Sequence, residues 1–385
     1  MVHQKPIHPS HHGLHHFLSA LLHLIRSNVV LTVAILLAIV TSCIVTPDAQ
    51  YAEYFDWKTL TCLFCTLAVV CALKNIKFFT ILARKIVDCT GNLRIAVLSL
   101  VYITFLGSML ISNDMALLTF LPLGFFVLTS TGKQKHMAFV FIMQNIAANL
   151  GGMLTPFGNP QNLYLYSKFN IPTGEFMGIM LIPFLAAIAL ITICCLFLPR
   201  EKLSITEACP HKLPAGRTIL YLILFAFSII IVFRLIPYWI GLILIPLSLF
   251  FLDKDALRRV DYGLLATFFC FFIFAGNMAR IPAVSELFSS LLQKNTLLFS
   301  ILSCQFISNV PSAILLSQFT VDYPALLIGV NIGGTGTLIA SLASLITFRE
   351  YTKHNPQKVK SYLLQFTAYS FGFVILLTAI SMLVL

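Results

Sequence analysis

Charged residues are scarce in this 385-residue chain: they make up 10% of it, against 58% for hydrophobic residues. Acidic residues are the scarcer kind, because 14 Asp and Glu stand beside 25 Lys and Arg, and the formal net charge is +11. This composition excludes an ordinary soluble enzyme and predicts an all-α polytopic membrane protein. The basic residues lie in short loops between apolar runs, as in cytoplasmic loops, so no nucleic-acid partner is expected.

Histidine is absent from the predicted spans and is concentrated in an N-terminal tail, residues 1–28, which is predicted to be cytoplasmic. The tail is interpreted as a disordered or interfacial segment, with transition-metal binding as the alternative. The four candidate metal ligands of the tail are His11, His12, His15 and His16. Cys62 and Cys65 have metal-ligand spacing but lack a second pair. The sequence therefore predicts no other metal site, and no cofactor apart from a coupling ion.

Loop charges predict the topology. The loops predicted to be cytoplasmic are 74–94, 131–136, 199–217, 253–261 and 349–360, whereas the acidic loop 47–58 is predicted to lie outside. Segment 93–130 starts and ends on the same side, so it is either a re-entrant hairpin or two spans joined by a tight turn. Each arm of segment 297–319 has about a dozen residues or fewer, too short at 1.5 Å per residue to cross roughly 30 Å of hydrocarbon. That segment is predicted to be a hairpin that enters from outside.

The resulting organisation is an inverted repeat in the inner (plasma) membrane, with the N-terminus cytoplasmic and the C-terminus periplasmic or extracellular. One hairpin enters from each face, and the lead spans 59–73 and 262–277 run in opposite directions. The predicted divisions are a first half 29–198 with hairpin 93–130 and broken helix 137–165, a cytoplasmic linker 199–217, and a second half 218–385 with hairpin 297–319 and broken helix 324–348.

The two hairpin tips carry matching polar residues, Ser112-Asn113 in the first half and Ser308-Asn309 in the second. A helix pair that ends at mid-membrane leaves backbone groups unpaired, and Ser and Asn side chains can satisfy them and also face a ligand. Helix capping alone is the simpler interpretation of each tip. The match between the two halves favours a shared binding site near the bilayer centre.

Asp114 is the one acid deep in the apolar segments. A charge at that depth costs several kcal/mol unless it is hydrated, paired or neutralised. We interpret it as a proton carrier or a ligand of a coupling cation, with a first-turn helix acid as the alternative. Arg234 lies near the end of its span, where snorkelling to the interface explains it.

Two glycine-rich segments, 149–155 and 331–337, share Asn, Gly, Gly and Thr when aligned without gaps. Pro156, Gly158 and Pro160 prevent the first one from continuing as a helix. Unwinding would expose carbonyls beside side-chain oxygens, which suit a monovalent cation or the hydrogens of an oxyanion. Close helix packing at the glycines is the alternative.

Two overlapping sets of site residues are predicted. The candidate substrate ligands are Ser112, Asn113, Asn159, Ser308, Asn309, Thr335 and Thr337. The candidate ligands of the coupling ion are Ser112, Asn113, Asp114, Thr155, Gly158, Asn309, Asn331 and Gly333. Sodium and the proton both stay open as the coupling ion.

These motifs resemble the ion transporter superfamily, which includes arsenite permeases, sodium/proton antiporters, citrate carriers and divalent-anion/sodium symporters. The similar stretches are Asn113-Asp114-Met115-Ala116-Leu117, Asn309-Val310-Pro311 and Gly329-Val330-Asn331-Ile332-Gly333. The arsenite-permease and citrate-transporter-like branch is the most similar. The resemblance implies a homodimer with a static scaffold and a moving transport domain, which is an elevator mechanism.

The expected function is secondary active transport of a small inorganic or organic anion, either citrate- or dicarboxylate-like or arsenite-like. Transport is expected to be coupled to a sodium or proton gradient. Sodium/proton exchange through Asp114 is the alternative. An intramembrane enzyme is a remote one, because Asp114 has no obvious catalytic partner and the spans lack histidine.

Overall fold

The computed structural model of the protein describes residues 29–88, 90–202 and 213–385. Within these ranges the regular elements are helices, and an isolated antiparallel bridge joins Asn92 to Lys202. The α-helices are α1 (Val29–Ile44), α2 (Trp57–Asn75), α3 (Phe78–Asp88), α4 (Leu93–Ile111), α5 (Asn113–Ser130), α6 (Met137–Gly151), α7 (Pro160–Lys168), α8 (Thr173–Leu196), α9 (Ala215–Val232), α10 (Tyr238–Leu252), α11 (Lys254–Arg258), α12 (Tyr262–Ala279), α13 (Pro282–Lys294), α14 (Thr296–Ile307), α15 (Asn309–Leu316), α16 (Tyr323–Gly333), α17 (Leu342–His354) and α18 (Val359–Met382). The predicted all-α fold is confirmed for these residues.

Eight helical segments in the described ranges are long and apolar enough to cross a membrane. They are Trp57–Asn75, Leu93–Ile111, Asn113–Ser130, Gln134–Leu154, Thr173–Leu196, Ala215–Val232, Tyr262–Ala279 and Pro356–Met382. The chain is therefore a multi-span membrane protein, as predicted.

The two helix pairs that were predicted to be hairpins differ in length. The arms of the first pair, α4 and α5, have 19 and 18 residues. The arms of the second pair, α14 and α15, have only 12 and 8 residues, too few to reach across the hydrocarbon. A re-entrant path for each pair stays a prediction.

The helices pack into two groups. We call α1, α2 and α9–α12 the framework bundle, and α4–α8 with α14–α18 the core bundle, because most helix contacts fall inside one group or the other. The groups meet mainly where α12 packs against α15 and where α2 packs against α7. The amphipathic helices α3 and α13 each contact both groups and so connect them.

Polar residues at the loops fix the two ends of the framework bundle. At one end, Arg280 donates to both carboxylate oxygens of Asp48, at 3.0 and 2.6 Å. At the other end, Asn75 donates to Asp253 at 3.0 Å and accepts from Arg259 at 3.0 Å. Charges with hydrogen-bond partners are expected where helices leave the membrane, because an unpaired charge in hydrocarbon is costly. Which end faces the cytoplasm stays a prediction.

Arg234 joins the two bundles. It lies between α9 and α10, and its guanidinium donates to the backbone carbonyls of Tyr166, at the end of α7, and of Ile171. The guanidinium carbon also sits 3.9 Å from the centre of the Tyr166 ring. The charge is held by carbonyls of the core bundle, where the helix dipole of α7 also favours a cation, and snorkelling of Arg234 to the interface stays a prediction.

Candidate functional site

The two helix pairs turn in the same way. Ser112 separates α4 from α5 with φ 70° and ψ 157°, and Ser308 separates α14 from α15 with φ 72° and ψ 162°. A positive φ combined with this ψ is a region that residues other than glycine rarely adopt, and it costs on the order of 1–3 kcal/mol. Strain of this kind persists only where the surrounding packing enforces it. Both tips are therefore held in a specific shape.

The asparagine after each serine makes the same local hydrogen bond. Asn113 Oδ1 accepts from the amide of Asp114, and Asn309 Oδ1 accepts from the amide of Val310, at 2.9 Å in both cases. Each oxygen thus satisfies a backbone donor at the start of a helix, which is the capping role weighed above. Asn113 also donates through Nδ2 to Asn149 Oδ1 at 3.1 Å. The first tip is thereby tied to the interrupted helix behind it.

Both glycine-rich segments interrupt a helix at matching places. The first break separates α6 from α7, and the second separates α16 from α17. Asn159 and Ser341 precede the second helix of each pair in extended conformations, with φ −135° and −150°. Pro160 then occupies the first position of α7, where a missing N–H is harmless.

Thr155 and Thr337 connect the two helix pairs to the broken helices. Thr155 Oγ1 donates to the carbonyl of Met109 at 3.3 Å, and Thr337 Oγ1 donates to the carbonyl of Gln305 at 3.1 Å. Each carbonyl belongs to the last turn of the first arm of its pair. The predicted site residues Thr155 and Thr337 thus have the same structural task in the two parts of the chain.

Buried amides connect the two broken helices. Asn331 Nδ2 donates to Asn162 Oδ1 at 2.6 Å and to the carbonyl of Leu327 at 2.8 Å. Asn331 Oδ1 accepts from Asn159 Nδ2 at 3.3 Å and from Gln161 Nε2 at 3.4 Å. These hydrogen bonds between buried amides fix how the two breaks fit together, and they leave Asn159 Oδ1 and Gln161 Oε1 without a partner among the described residues.

Two predicted glycines serve close packing. A Cβ at Gly158 would lie 2.3 Å from the carbonyl oxygen of Gly152, and a Cβ at Gly333 would lie 2.9 Å from Cys304 Cβ. Both distances are too short for any larger residue without movement of its neighbours. The packing alternative raised for the glycines therefore applies to these two positions.

Both tips line one cavity of about 50 Å³. Its lining residues are Val30, Asn113, Asp114, Pro160, Gln161, Leu264, Thr267, Phe271, Ser308, Asn309, Val310, Pro311 and Leu342. Such a volume holds a few water molecules at most, because one water needs on the order of 10–15 Å³ by this measure. A larger ligand requires the walls to move apart.

Four helices begin at this cavity. The first residues of α5, α7, α15 and α17 are Asn113, Pro160, Asn309 and Leu342, and all four line it. Each helix N-terminus carries roughly half a positive elementary charge. The arrangement therefore favours a negatively charged ligand in the cavity.

Asp114 lines the same cavity and lies in the first turn of α5. Its Oδ1 is buried and has no hydrogen-bond partner among the described residues. A buried carboxylate oxygen without a partner is costly unless a proton, a cation or a water pairs with it. Both interpretations of Asp114 are thus compatible with its position, since it is a first-turn acid that also faces the cavity.

The other predicted residues lie behind or beside the cavity. Ser112 lines a neighbouring pocket of about 20 Å³. Asn159, Asn331 and Thr335 are buried at the breaks, and Thr335 Oγ1 finds no partner within the described ranges. The metal-binding alternative for the N-terminal histidines His11, His12, His15 and His16 falls outside the described residues. Within them, no group of three or more His, Cys, Asp or Glu could hold a metal ion.

Sequence reasoning missed Gln161 and Thr267, which both line the cavity. Gln161 follows Pro160 directly, so the break in the first glycine-rich segment was a usable signal for it. Thr267 lies on the framework helix α12, and only the packing of α12 against α15 brings it to the tips.

The cavity lies nearer one end of the framework bundle. It reaches Val30 and Leu264, which are in the first turns of α1 and α12. At the opposite end of α12, Gly276, Ala279 and Arg280 line a separate cavity of about 300 Å³, together with Lys168 and Gln318 of the core bundle. The site is therefore not at the same distance from the two ends of α12.

Comparison with known proteins places the chain among membrane transporters. Residues 18–325 match the citrate transporter family, CitMHS. An uncharacterized transporter of Methanocaldococcus jannaschii is 32% identical over 297 residues, which is 76% of this chain and 81% of that protein. The inner membrane protein YbiR of Escherichia coli is 28% identical over 307 residues, covering 76% of this chain and 80% of the relative.

Proposed function

The chain belongs to the citrate transporter family, and from that premise we propose that it is a secondary active transporter of a small anion. The substrate is a citrate- or dicarboxylate-like anion or an arsenite-like oxyanion, and its movement is coupled to a sodium or proton gradient. Family membership makes the chain a transporter rather than an enzyme.

The convergence of four helix N-termini on one cavity carries the proposal. Asn113, Pro160, Asn309 and Leu342 each begin a helix there. In the low dielectric of a membrane interior these partial charges act over short distances with little screening, so an anion is stabilised more than in water. Asp114 is the one acidic side chain in the lining, and its protonation or pairing with a cation removes its repulsion of the anion.

Buried oxygens without hydrogen-bond partners support a binding site for the coupling ion. Asp114 Oδ1, Asn159 Oδ1 and Thr335 Oγ1 have no hydrogen-bond partner in the described part of the chain. Oxygen atoms of carboxylates, amides and hydroxyls are suitable ligands for a hard cation, and a carboxylate can instead bind a proton. We assign the coupling ion to the region between Asp114 and the first break.

Alternating access is provided by movement of the core bundle relative to the framework bundle. The core bundle carries both tips and both breaks, so it moves as a unit along α12, in an elevator motion that takes the site from one end of the framework to the other. The closed cavity and the separate cavity near Arg280 are consistent with one end point of that motion. In this proposal the two parts of the chain form an inverted repeat and the protein acts as a homodimer through its framework bundle.

Sodium/proton exchange is the second candidate, and the position of Asp114 favours it. A single carboxylate that binds either a proton or a sodium ion in turn is sufficient for exchange, without any anion.

The experiment that tests both is flux into proteoliposomes. Arsenite, citrate, succinate, sulfate and phosphate are each offered with a sodium or a pH gradient. The proposal expects gradient-driven uptake of at least one anion, with uptake lost in Asn309→Ala and retained in Gln293→Ala, a change on the exposed side of α13. Sodium-driven proton movement with no anion flux would establish exchange instead.

A further inference from the structure

Gln161 is buried in the wall of the cavity with half of its hydrogen-bonding capacity unused. Its side chain is 1% exposed and lines the cavity beside Asn113 and Asn309. Its Oε1 has no hydrogen-bond partner among the residues that the structure describes. An acceptor buried without a donor destabilises the protein, so its presence at a cavity requires an explanation.

The hydrogen-bond network fixes which end of the Gln161 amide is unpaired. The carbonyl of Leu327 can only accept, so the nitrogen of the Asn331 amide must lie toward it, at 2.8 Å. Asn331 Oδ1 therefore faces Gln161, which must present its own nitrogen, at 3.4 Å. The oxygen of Gln161 is left over, and exchanging the two ends of its amide would place two oxygens together.

The helix starts in the lining differ from this acceptor in what they bind. The starts of α5, α7, α15 and α17 supply positive dipole ends, which suit the charged oxygens of an anion. An unpaired amide oxygen cannot donate a hydrogen bond to a charged oxygen of the anion. It accepts one instead, from an O–H group. The residues of the lining thus combine recognition of negative charge with two unpaired acceptors, Asp114 Oδ1 and Gln161 Oε1, and of these only the amide oxygen of Gln161 is neutral.

We infer that Gln161 is a specificity-determining residue, whose side-chain oxygen accepts a hydrogen bond from a hydroxyl or protonated oxygen of the transported anion. The inference depends on the proposed anion transport. It selects, within small anions, those that carry an O–H group, such as hydroxycarboxylates and protonated oxyanions. A site with a hydrogen-bonding group for a substrate hydroxyl rejects analogues that lack it, because the protein group then stays unpaired.

The test uses pairs of anions that differ in a hydroxyl group: malate and succinate, citrate and tricarballylate, phosphate and sulfate. Uptake into proteoliposomes gives KM for each member. Wild-type protein is expected to favour the hydroxyl-bearing member of the pair it transports by about tenfold, as one neutral hydrogen bond provides. Gln161→Met, which keeps the size of the side chain, is expected to lose most of this preference while it still transports the other member. Gln161→Glu keeps an acceptor and is expected to keep the preference, at higher KM for both members.

Gln144 provides the matched control. It is also buried, its Nε2 donates to Thr104 Oγ1 and to the carbonyl of Phe120 at 3.1 Å, and its Oε1 likewise lacks a partner in the described ranges. It does not line the cavity. Gln144→Met is therefore expected to leave the ratio of the two KM values unchanged.

The remaining outcomes distinguish failure of the role of Gln161 from failure of the proposed transport. An unchanged KM ratio in Gln161→Met overturns the role of Gln161 while transport stands. A wild type that prefers the member without a hydroxyl, or shows no preference, overturns it as well. If Gln161→Met changes only the sodium or proton dependence, its oxygen binds the coupling ion and the inference is wrong. If neither these six anions nor arsenite is transported under any gradient, the proposed transport itself fails.

Discussion

Ser112 and Ser308 have almost the same backbone conformation, with φ values of 70° and 72° and ψ values of 157° and 162°, although they lie in different parts of the chain. Each is followed by an asparagine that caps the next helix in the same way. Two unrelated turns would not be expected to share so rare a conformation. The tips thus have the same backbone shape and the same local hydrogen bond, and they line one cavity.

The strained serines predict an unusual order of stability. Ser112→Gly is expected to match or exceed the stability of the wild type, because glycine adopts a positive φ freely, whereas Ser112→Val is expected to lose on the order of 1–3 kcal/mol. Thermal unfolding in detergent measures the difference. At Ser130, which is helical and exposed, the order of Gly and Val is expected to reverse. A Ser112→Gly variant less stable than Ser112→Val would contradict the strained conformation.

Asp114→Asn tests the coupling role. The variant keeps the size of the side chain and its place in the first turn of α5, but it can neither release a proton nor attract a cation strongly. We expect net flux against a gradient to fall at least tenfold and the pH or sodium dependence of exchange to disappear. Flux in proteoliposomes at several pH values and sodium concentrations measures both. Unchanged transport with unchanged pH and sodium dependence would leave Asp114 as a helix-start residue only.

Arg234 is expected to stabilise the contact between the framework and core bundles. Arg234→Gln removes a cation that donates to the carbonyls of Tyr166 and Ile171. A hydrogen bond from a charged donor is worth about 1.5–3 kcal/mol, so the thermal midpoint should fall and the transport rate should change. Arg217→Gln, at an exposed site near the start of α9, is the control. Equal midpoints for the two variants would show that the bonds of Arg234 contribute nothing.

Glu201 gives a prediction for pH. Hydrogen bonds from Lys133 and Lys135 lower the pKa of Glu201 to about 2. Because the pKa is lower in the folded state, this contact stabilises the protein above the unfolded pKa of about 4.3 and loses its effect as the pH falls toward 2. The difference in thermal midpoint between wild type and Glu201→Gln should therefore stay constant from pH 8 to about 5.5 and shrink below that.

If the difference in thermal midpoint between wild type and Glu201→Gln disappeared between pH 8 and 6, the lowered pKa of Glu201 would be contradicted. High salt is expected to reduce the difference at every pH, since the groups are partly exposed. The ionisation of Glu201 does not change between pH 8 and 6. A pH dependence of flux in that range therefore comes from another group.

The sequence was sufficient for the class of protein, for the two tips and for the two breaks. Polar and glycine-rich interruptions in apolar runs are local signals, because a helix in lipid cannot tolerate them without a reason. Asn113, Asp114, Ser308 and Asn309 were predicted for this reason, and all four line the cavity.

Other roles depended on contacts between distant segments. From the sequence, the hydroxyl of Thr337 was predicted to bind the substrate. In the structure it donates to the carbonyl of Gln305. The sequence did not predict that Arg234 donates to the carbonyls of Tyr166 and Ile171, because these carbonyls become available only where α7 ends after the first break. Gln161 was overlooked because its importance comes from an oxygen that the amide network leaves unpaired. Such features require the packed structure, since no local pattern encodes them.

The most direct test of the shared site is a cross-link between the tips. In a transport-competent background in which the ten native cysteines are replaced, Asn113→Cys and Asn309→Cys are combined and treated with a short bifunctional thiol reagent. We expect a cross-link between the two positions that a transported anion prevents, because both residues line one cavity. Modification of both cysteines from the same side only, with no cross-link and no protection by any anion, would contradict a common site between the tips.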